Sequence, residues 1–481
     1  MAPPKKRFLA SQIVTLVVLL MIFAFSLVSY GDESPALDRF GGLKKLSFGA
    51  GPAFRTHFDG QRWWLVTPDG GAFLSLGVCT VNPTGDMERD TKRQPYRENV
   101  LAKHGAVEAW TAVTANRLRA WGLNTLGNWS GGELRGAFPY TKELSVSGGL
   151  WGNLGAGGLR GNKTFPDFFS PEVRAHIRAR AAAAAATAND PYLIGYYLDN
   201  ELPWAKDWRL GADIFPGHVA LPPEAPGKQR LVEFFRERYQ TVNRFNAVWS
   251  TDLKDWNELA ARQKLISRGP AQAQRDREAF VLLVAREYFK TAAAAIRAKD
   301  PRHLILGCRF LWAVVPWPVV QACGEYCDVV SINYYEVGIF GKMALWLTTS
   351  MRVRTDLTFR SFYDLTQKPL LITEFSFRAM DSGMPNTYPP PLFIQPTVPT
   401  QMARADKFEH CVTTWMTQPY FLGYHWFKYM DEPKGGRSSD GENGNYGLVS
   451  LQDNPYLALV ERLTAVNRCV WTLHAVPDPF P

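Results

Sequence analysis

The sequence predicts an α/β fold: a (β/α)8 or TIM barrel with a short N-terminal β preface and long active-face loops. Three observations predict it. Short apolar runs alternate about eight times with segments of helical periodicity, as in a parallel α/β barrel. The run Leu193–Leu198 is continuously apolar, which suits a parallel strand covered on both faces, and it ends in Asp199, Asn200 and Glu201. A second such run, Leu370–Thr373, ends in Glu374. Side chains just past the ends of parallel barrel strands are where this architecture keeps its chemistry.

The elements follow in order. Residues 1–31 have the parts of an export signal: Lys5, Lys6 and Arg7, then an apolar run from Ile13 to Val28, then Ser29 and Gly31. The first reading is a signal peptide cleaved after about Gly31, the second an uncleaved N-terminal membrane anchor. Either makes the protein secreted, periplasmic or cell-surface. Residues 32–72 form the β preface, with strands Phe54–Phe58 and Trp63–Val66 around an Asp59-Gly60 turn.

The barrel is expected over 73–470, with a tail over 471–481. Phe73–Val78 is strand 1. Val107–Trp121 is a helix ended by Gly122. Leu123–Trp129 is strand 2, and Phe138–Val146 is strand 3, the least patterned. A helix over about 171–188 contains the alanine run 181–186. Strand 4 is Leu193–Leu198. An insertion follows, irregular over 205–226, with helices over 227–247 and 273–298. Leu304–Cys308 is strand 5, Asp328–Tyr335 strand 6, and a helix near 354–366 leads to strand 7 at Leu370–Thr373. After the Pro-rich loop 381–400 come a helix at 402–417, strand 8 at Phe421–Trp426, the loop 431–447 and a closing helix, Pro455–Val466.

Composition excludes several classes. The net charge is +9, yet Lys and Arg are scattered and form no stripe with aromatics, so nucleic acid is not an expected partner. An acidic or sulfated polysaccharide stays compatible with that charge. Sixteen Trp serve equally well as buried core or as platforms for sugar rings. Gly-x-Gly-x-x-Gly and Walker-type loops are absent, as is a Cys/His cluster with zinc spacing, so neither a cofactor nor a metal is expected. Cys323 and Cys327 either pair or are unrelated.

The two strand-end glutamates suggest a reaction. Cleaving a glycosidic bond with retention takes two carboxyl groups, one protonating the leaving oxygen and one attacking the anomeric carbon. Strands 4 and 7 lie opposite one another in an eight-stranded barrel, so Glu201 and Glu374 can face each other across its mouth. Asp199, Asp328, Glu336 and Asp431 are weaker candidates.

Asn200-Glu201 after strand 4 and Glu374 after strand 7 resemble the pattern of the retaining glycosidases built on this barrel. Local context narrows the likeness. Gly195-Tyr-Tyr-Leu-Asp-Asn-Glu-Leu-Pro-Trp204, Ile372-Thr-Glu-Phe-Ser-Phe-Arg-Ala-Met-Asp-Ser-Gly-Met-Pro-Asn-Thr387 and His425-Trp-Phe-Lys-Tyr-Met-Asp-Glu-Pro433 are similar to β-agarases and their β-galactosidase-like relatives. Asp440-Gly-Glu-Asn443 and Asn445-Tyr-Gly-Leu-Val449 continue the likeness. The resemblance implies a β-galactan substrate, Glu201 as acid/base, Glu374 as nucleophile and Asn200 on the sugar 2-hydroxyl. It implies that Tyr335 and Arg309 contact Glu374, that His425 and Trp426 floor the sugar subsite, and that Asn128, Trp129 and Trp204 reach its rim. Arg309 paired with Asp328 or Glu336, and Trp426 in the core, are the structural alternatives. Agarases of this kind usually carry a carbohydrate-binding-like domain before the barrel, for which residues 32–70 are too few.

Overall fold

A computed structural model describes residues 36–151, 165–205, 213–266, 270–312, 314–338, 343, 358–390 and 395–475. The chain divides into two compact units, Met1–Leu37 and Asp38–Pro481; the fold below is that of the second. The export segment expected over residues 1–31 lies outside the described residues. Among the described residues no helix is long and apolar enough to cross a membrane.

Four short strands, Leu43–Ser47, Arg55–Phe58, Trp63–Val66 and Gly71–Phe73, form an antiparallel sheet in the order first, fourth, third, second. Its hairpin turn is held by Asp59, whose carboxylate accepts the backbone N–H groups of Gln61 and Arg62 and the Trp64 indole N–H. The preface has a packing role. Phe40, Phe54, Leu65 and Phe73 form one apolar cluster with Ile194, Leu304, Val329, Leu371 and Leu422 of the barrel strands. The end where the strands begin is therefore filled with hydrocarbon, which leaves the opposite end for polar chemistry.

The barrel strands are Ser75–Val78, Thr125–Leu126, Tyr140–Glu143, Leu193–Tyr197, Leu304–Ile305 with Phe310–Leu311, Val330–Asn333, Leu370–Phe375 and Phe421–Trp426. Each pairs in parallel with its neighbours in chain order, and the eighth pairs with the first. The fifth is broken at Gly307 and Arg309, both with positive φ. Its first part bonds the fourth strand (Leu306 N to Tyr196 O, 2.8 Å) and its second part pairs with the sixth. The Asp328 N–H also donates to Ile305 O (2.9 Å), so the ring closes through this break. Close approach demands glycine at Gly195, where an added Cβ would lie 2.3 Å from Leu304 O on the neighbouring strand.

Several elements differ from expectation for physical reasons. The alanine run tightens into a 3-10 helix at Ala182–Thr187 after the helix Pro171–Ala181. The helix expected over 227–247 is two helices, Pro226–Tyr239 and Val242–Trp249. Gln240 turns left-handed between them, and the Thr241 hydroxyl caps the second by accepting the Arg244 N–H. Part of the irregular stretch 205–226 is the short helix Ile214–Val219. The closing helix runs over Leu457–Ala475, beyond the expected end. Cys323 and Cys327 are both free and buried.

Candidate active site

Five non-glycine residues at the strand ends adopt a left-handed backbone: Thr80, Trp129, Ser145 and Glu201 past the first four barrel strands and Arg309 in the break of the fifth, with φ of 59°, 61°, 49°, 48° and 47°. Each such conformation costs on the order of 1 kcal/mol or more and persists only where surrounding structure enforces it. Their clustering at the polar end of the barrel marks the mouth as the place where geometry outranks local comfort.

Glu374, on strand 7, is buried, 4% exposed. Arg309 donates to its Oε1 (2.5 Å) and the Tyr335 hydroxyl to its Oε2 (2.6 Å), so each oxygen has a fixed partner. Burial pushes the Glu374 carboxyl up to about 7; Glu201's charge acts in the same direction, while Arg309, Tyr335 and Arg437 act against it. Arg309 has no exposed surface and is itself held charged by its carboxylate neighbours. Its guanidinium lies 4.4 Å from the Trp129 ring centroid and 5.2 Å from that of Tyr197, a cation–π support on two sides.

Glu201 and Asn200 are organised from strand 6. The buried Asn333 amide donates to Glu201 Oε1 (2.9 Å) and to Asn200 Oδ1 (3.1 Å), while its own oxygen accepts the Thr373 hydroxyl (2.7 Å). Thr373 immediately precedes Glu374, so one side chain ties the strand-4 carboxylate to the strand carrying the other. The remaining acids are committed elsewhere. Asp199 turns away from Glu201, accepting the Ser147 N–H and the Tyr288 hydroxyl. Asp328 takes the Ile305 N–H and pairs with Arg297 at the start of strand 6. Glu336 pairs with Lys407 (2.6 Å), and Asp431 accepts from Asn445, Gly447 and Tyr456.

Four expected contacts are corrected, those of Trp426, Trp204, Asn128 and His425. Trp426 does not floor a subsite: it has no exposed surface, packs on Phe375 and Phe408, and donates its indole N–H to Tyr446 O (2.9 Å). Trp204 is not at a rim but is buried among Phe165, Phe168, Tyr288 and Phe289. Asn128 is also buried and gives its amide to Glu143 Oε2 (2.6 Å). In each case a strand or loop covered on both faces lets an aromatic or amide point to either side, and spacing alone does not say which. Trp129 is 44% exposed, with its ring beside the Arg309 guanidinium.

His425 backs the site without lining it. It is fully buried, bonded through Nε2 to Ser75 Oγ (2.9 Å), and burial together with the Arg309 charge lowers its pKa to about 3, so it is a neutral imidazole. Gly77 makes room for it: a Cβ there would lie 2.4 Å from His425 Cδ2.

Sequence reasoning missed Asn333, Glu143 and Arg437. Asn333 precedes Tyr335 by two residues on one strand, a signal that period-two alternation offered. Glu143 ends strand 3 as Glu374 ends its own strand's polar stretch, but weak patterning there hid it. Arg437 sits in the loop 431–447 and pairs with Glu432 (3.3 Å), Asp440 (2.6 Å) and Glu442 (3.0 Å); its neighbour Lys428 pairs with Asp86 and Glu432. These ion pairs fasten the loop to the active face.

No family model matches the chain. β-Agarase A of Vibrio sp. (strain JT0107) is 30% identical over 477 residues, which take in 85% of this chain and 44% of that protein. β-Agarase B of the same strain is 28% identical over 430 residues, covering 85% of this chain and 42% of the relative. The chain thus spans less than half the length of these two. A solved agarase, AgWH50C, is 26% identical with a TM-score of 0.74, over 92% of this chain and 68% of that one. A solved exo-β-agarase, 23% identical, shares the fold with a TM-score of 0.76 over 95% of this chain and 70% of its own. In sequence the chain is similar to the two β-agarases over most of its own length, and in fold it is similar to solved agarases, with a (β/α)8 barrel.

Proposed function

We propose that the protein is an exported retaining glycoside hydrolase that cleaves β-galactosidic linkages in agar-type galactans or their oligosaccharides. The observation that carries this reading is the pair of strand-end carboxylates, with Glu374 buried between Arg309 and Tyr335 and Glu201 held by Asn333. The similarity to named β-agarases supports agar as the substrate, and residues 1–31 support export.

In the first step Glu374 attacks the anomeric carbon while Glu201 gives its proton to the departing glycosidic oxygen, which leaves as an alcohol. The sugar is then esterified to Glu374. In the second step Glu201 takes a proton from water, whose oxygen attacks the anomeric carbon and releases Glu374. Arg309 and Tyr335 aim the attacking carboxylate and stabilise it as a leaving group. Asn200, kept in place by Asn333, is positioned to receive the 2-hydroxyl. Trp129 offers its exposed ring as a platform for a sugar face.

The test is incubation of the protein with agarose, agarose oligosaccharides and other β-glycans, with product size and anomeric configuration followed by NMR. Retained β configuration from agarose supports the whole reading. Turnover confined to another β-glycan removes agarose and keeps the mechanism. Sugar binding without turnover of any glycan makes the barrel a binding protein.

A further inference from the structure

The Arg309 guanidinium has two edges, and the reaction described above uses only one. Its Nη2 serves Glu374, whereas Nη1 and Nε are fully buried without a hydrogen-bond partner. Nη1 instead faces a third carboxylate, Glu143, at 3.9 Å from its Oε2. Glu143 ends strand 3 with its side chain 13% exposed, and both of its oxygens are held: Asn128 Nδ2 donates to Oε2 and Ser145 Oγ to Oε1, each at 2.6 Å. Two donors and a neighbouring buried guanidinium hold this carboxylate in one place.

We propose that Glu143 is a positioning residue for the nucleophile, acting through Arg309: it draws one edge of the guanidinium towards strand 3 and divides its charge between two carboxylates. The inference rests on Glu374 being the nucleophile. A single cation between two anions is pulled from both sides. The second anion pulls the guanidinium towards itself and sets its own repulsion against the attraction of Arg309, so Glu143 keeps the Glu374 carboxylate less stabilised, and therefore more basic and more reactive, than Arg309 alone would.

The other groups facing Glu374 are fixed by the surrounding elements. Strand 6 presents the Tyr335 hydroxyl and strand 4 presents Glu201 and the Tyr197 phenol. Strand 1 presents the neutral thiol of Cys79, pushed up to about 12 by burial, and strand 8 the neutral His425. The loop 431–447 contributes the charge of Arg437. None of these bonds Glu143, whose charge is also felt by the buried Asp199 and Cys308.

The experiment follows the Glu374 carboxyl band by infrared difference titration of the full chain, the band being identified by its loss in Glu374→Gln. Glu143→Gln keeps the side-chain shape and removes the charge; the expected result is a fall of about one pH unit in the Glu374 midpoint, the size of a partly screened charge removed at this range. Glu143→Asp, which withdraws the charge by one methylene, shifts the midpoint the same way by less. Either variant, folded by circular dichroism, with an unchanged or raised midpoint overturns the proposal; if Glu143→Gln fails to fold, Glu143→Asp decides. The titration needs no turnover. A protein that hydrolyses nothing refutes the proposed function while this readout still reports on Glu143.

Discussion

Glu374 is where the competing forces on a single side chain are most visible. Burial raises its carboxyl to about 7 against the pull of Arg309 and Tyr335. A protonated Glu374 cannot attack, so kcat/KM is expected to fall as pH drops through about 7, and a rate profile of the full chain checks this. Tyr335→Phe removes a donor that favours the ionised form; the acid limb then moves to higher pH and kcat falls about 10–100-fold, whereas an unmoved limb would leave the tyrosine a packing role. Glu374→Gly should abolish hydrolysis, with partial recovery in azide as the small anion enters the space left by the side chain. At this scale the two glutamates were legible because a strand-end carboxylate has one place to go in a barrel. Trp426, Trp204 and Asn128 were not, because a residue flanked by packing on every side gives no sequence sign of its direction. Period-two alternation places Asn333 on the face of Tyr335, but its partners on neighbouring strands, like those of Glu143, are set only by the fold.

The strands and their connections explain why those glutamates hold still. Strand 4 is clamped from both sides by Asp199, which takes the Ser147 N–H from the strand-3 loop and the Tyr288 hydroxyl from the helix Pro270–Arg297. Asp199→Ala would strand both donors in the interior and cost about 2–4 kcal/mol, measurable by urea unfolding. Burial also raises the Asp199 carboxyl from the ordinary carboxylate range to about 7. The folded protein then binds a proton more readily than the unfolded chain between those values. Its contribution to stability is therefore full below about 4 and is lost as pH rises through about 7. Asp199→Asn should flatten that part of the stability–pH curve; an unchanged slope would assign the dependence to Glu374, whose shift has the same sign. Strands 4, 7 and 8 were readable because each is a long apolar run with a polar stop. Strand 5 was not read in full, since its break at Gly307 and Arg309 exists to turn a side chain into the mouth. The split helix around Gln240 shows the same limit, an unremarkable residue placed in a left-handed turn.

Across the whole barrel one end is hydrocarbon and the other is charged. The preface cluster around Phe40, Phe54 and Phe73 seals the strand starts, and the fastened loop 431–447 covers the strand ends. This polarity was legible from the order of elements, because parallel strands joined by helices put all their C-terminal ends on one side. The ion pairs of Arg437 are local in sequence, whereas Lys428 also reaches Asp86, a pairing that only the fold brings about. The proposed mechanism requires a glycosyl ester on Glu374 at this mouth. Incubation with a 2-deoxy-2-fluoro β-galactoside carrying a good leaving group, followed by peptide mass spectrometry, tests it most directly. One sugar is expected on the peptide containing Glu374; a label on another carboxylate, or continued hydrolysis with no label at all, would rule Glu374 out as the nucleophile.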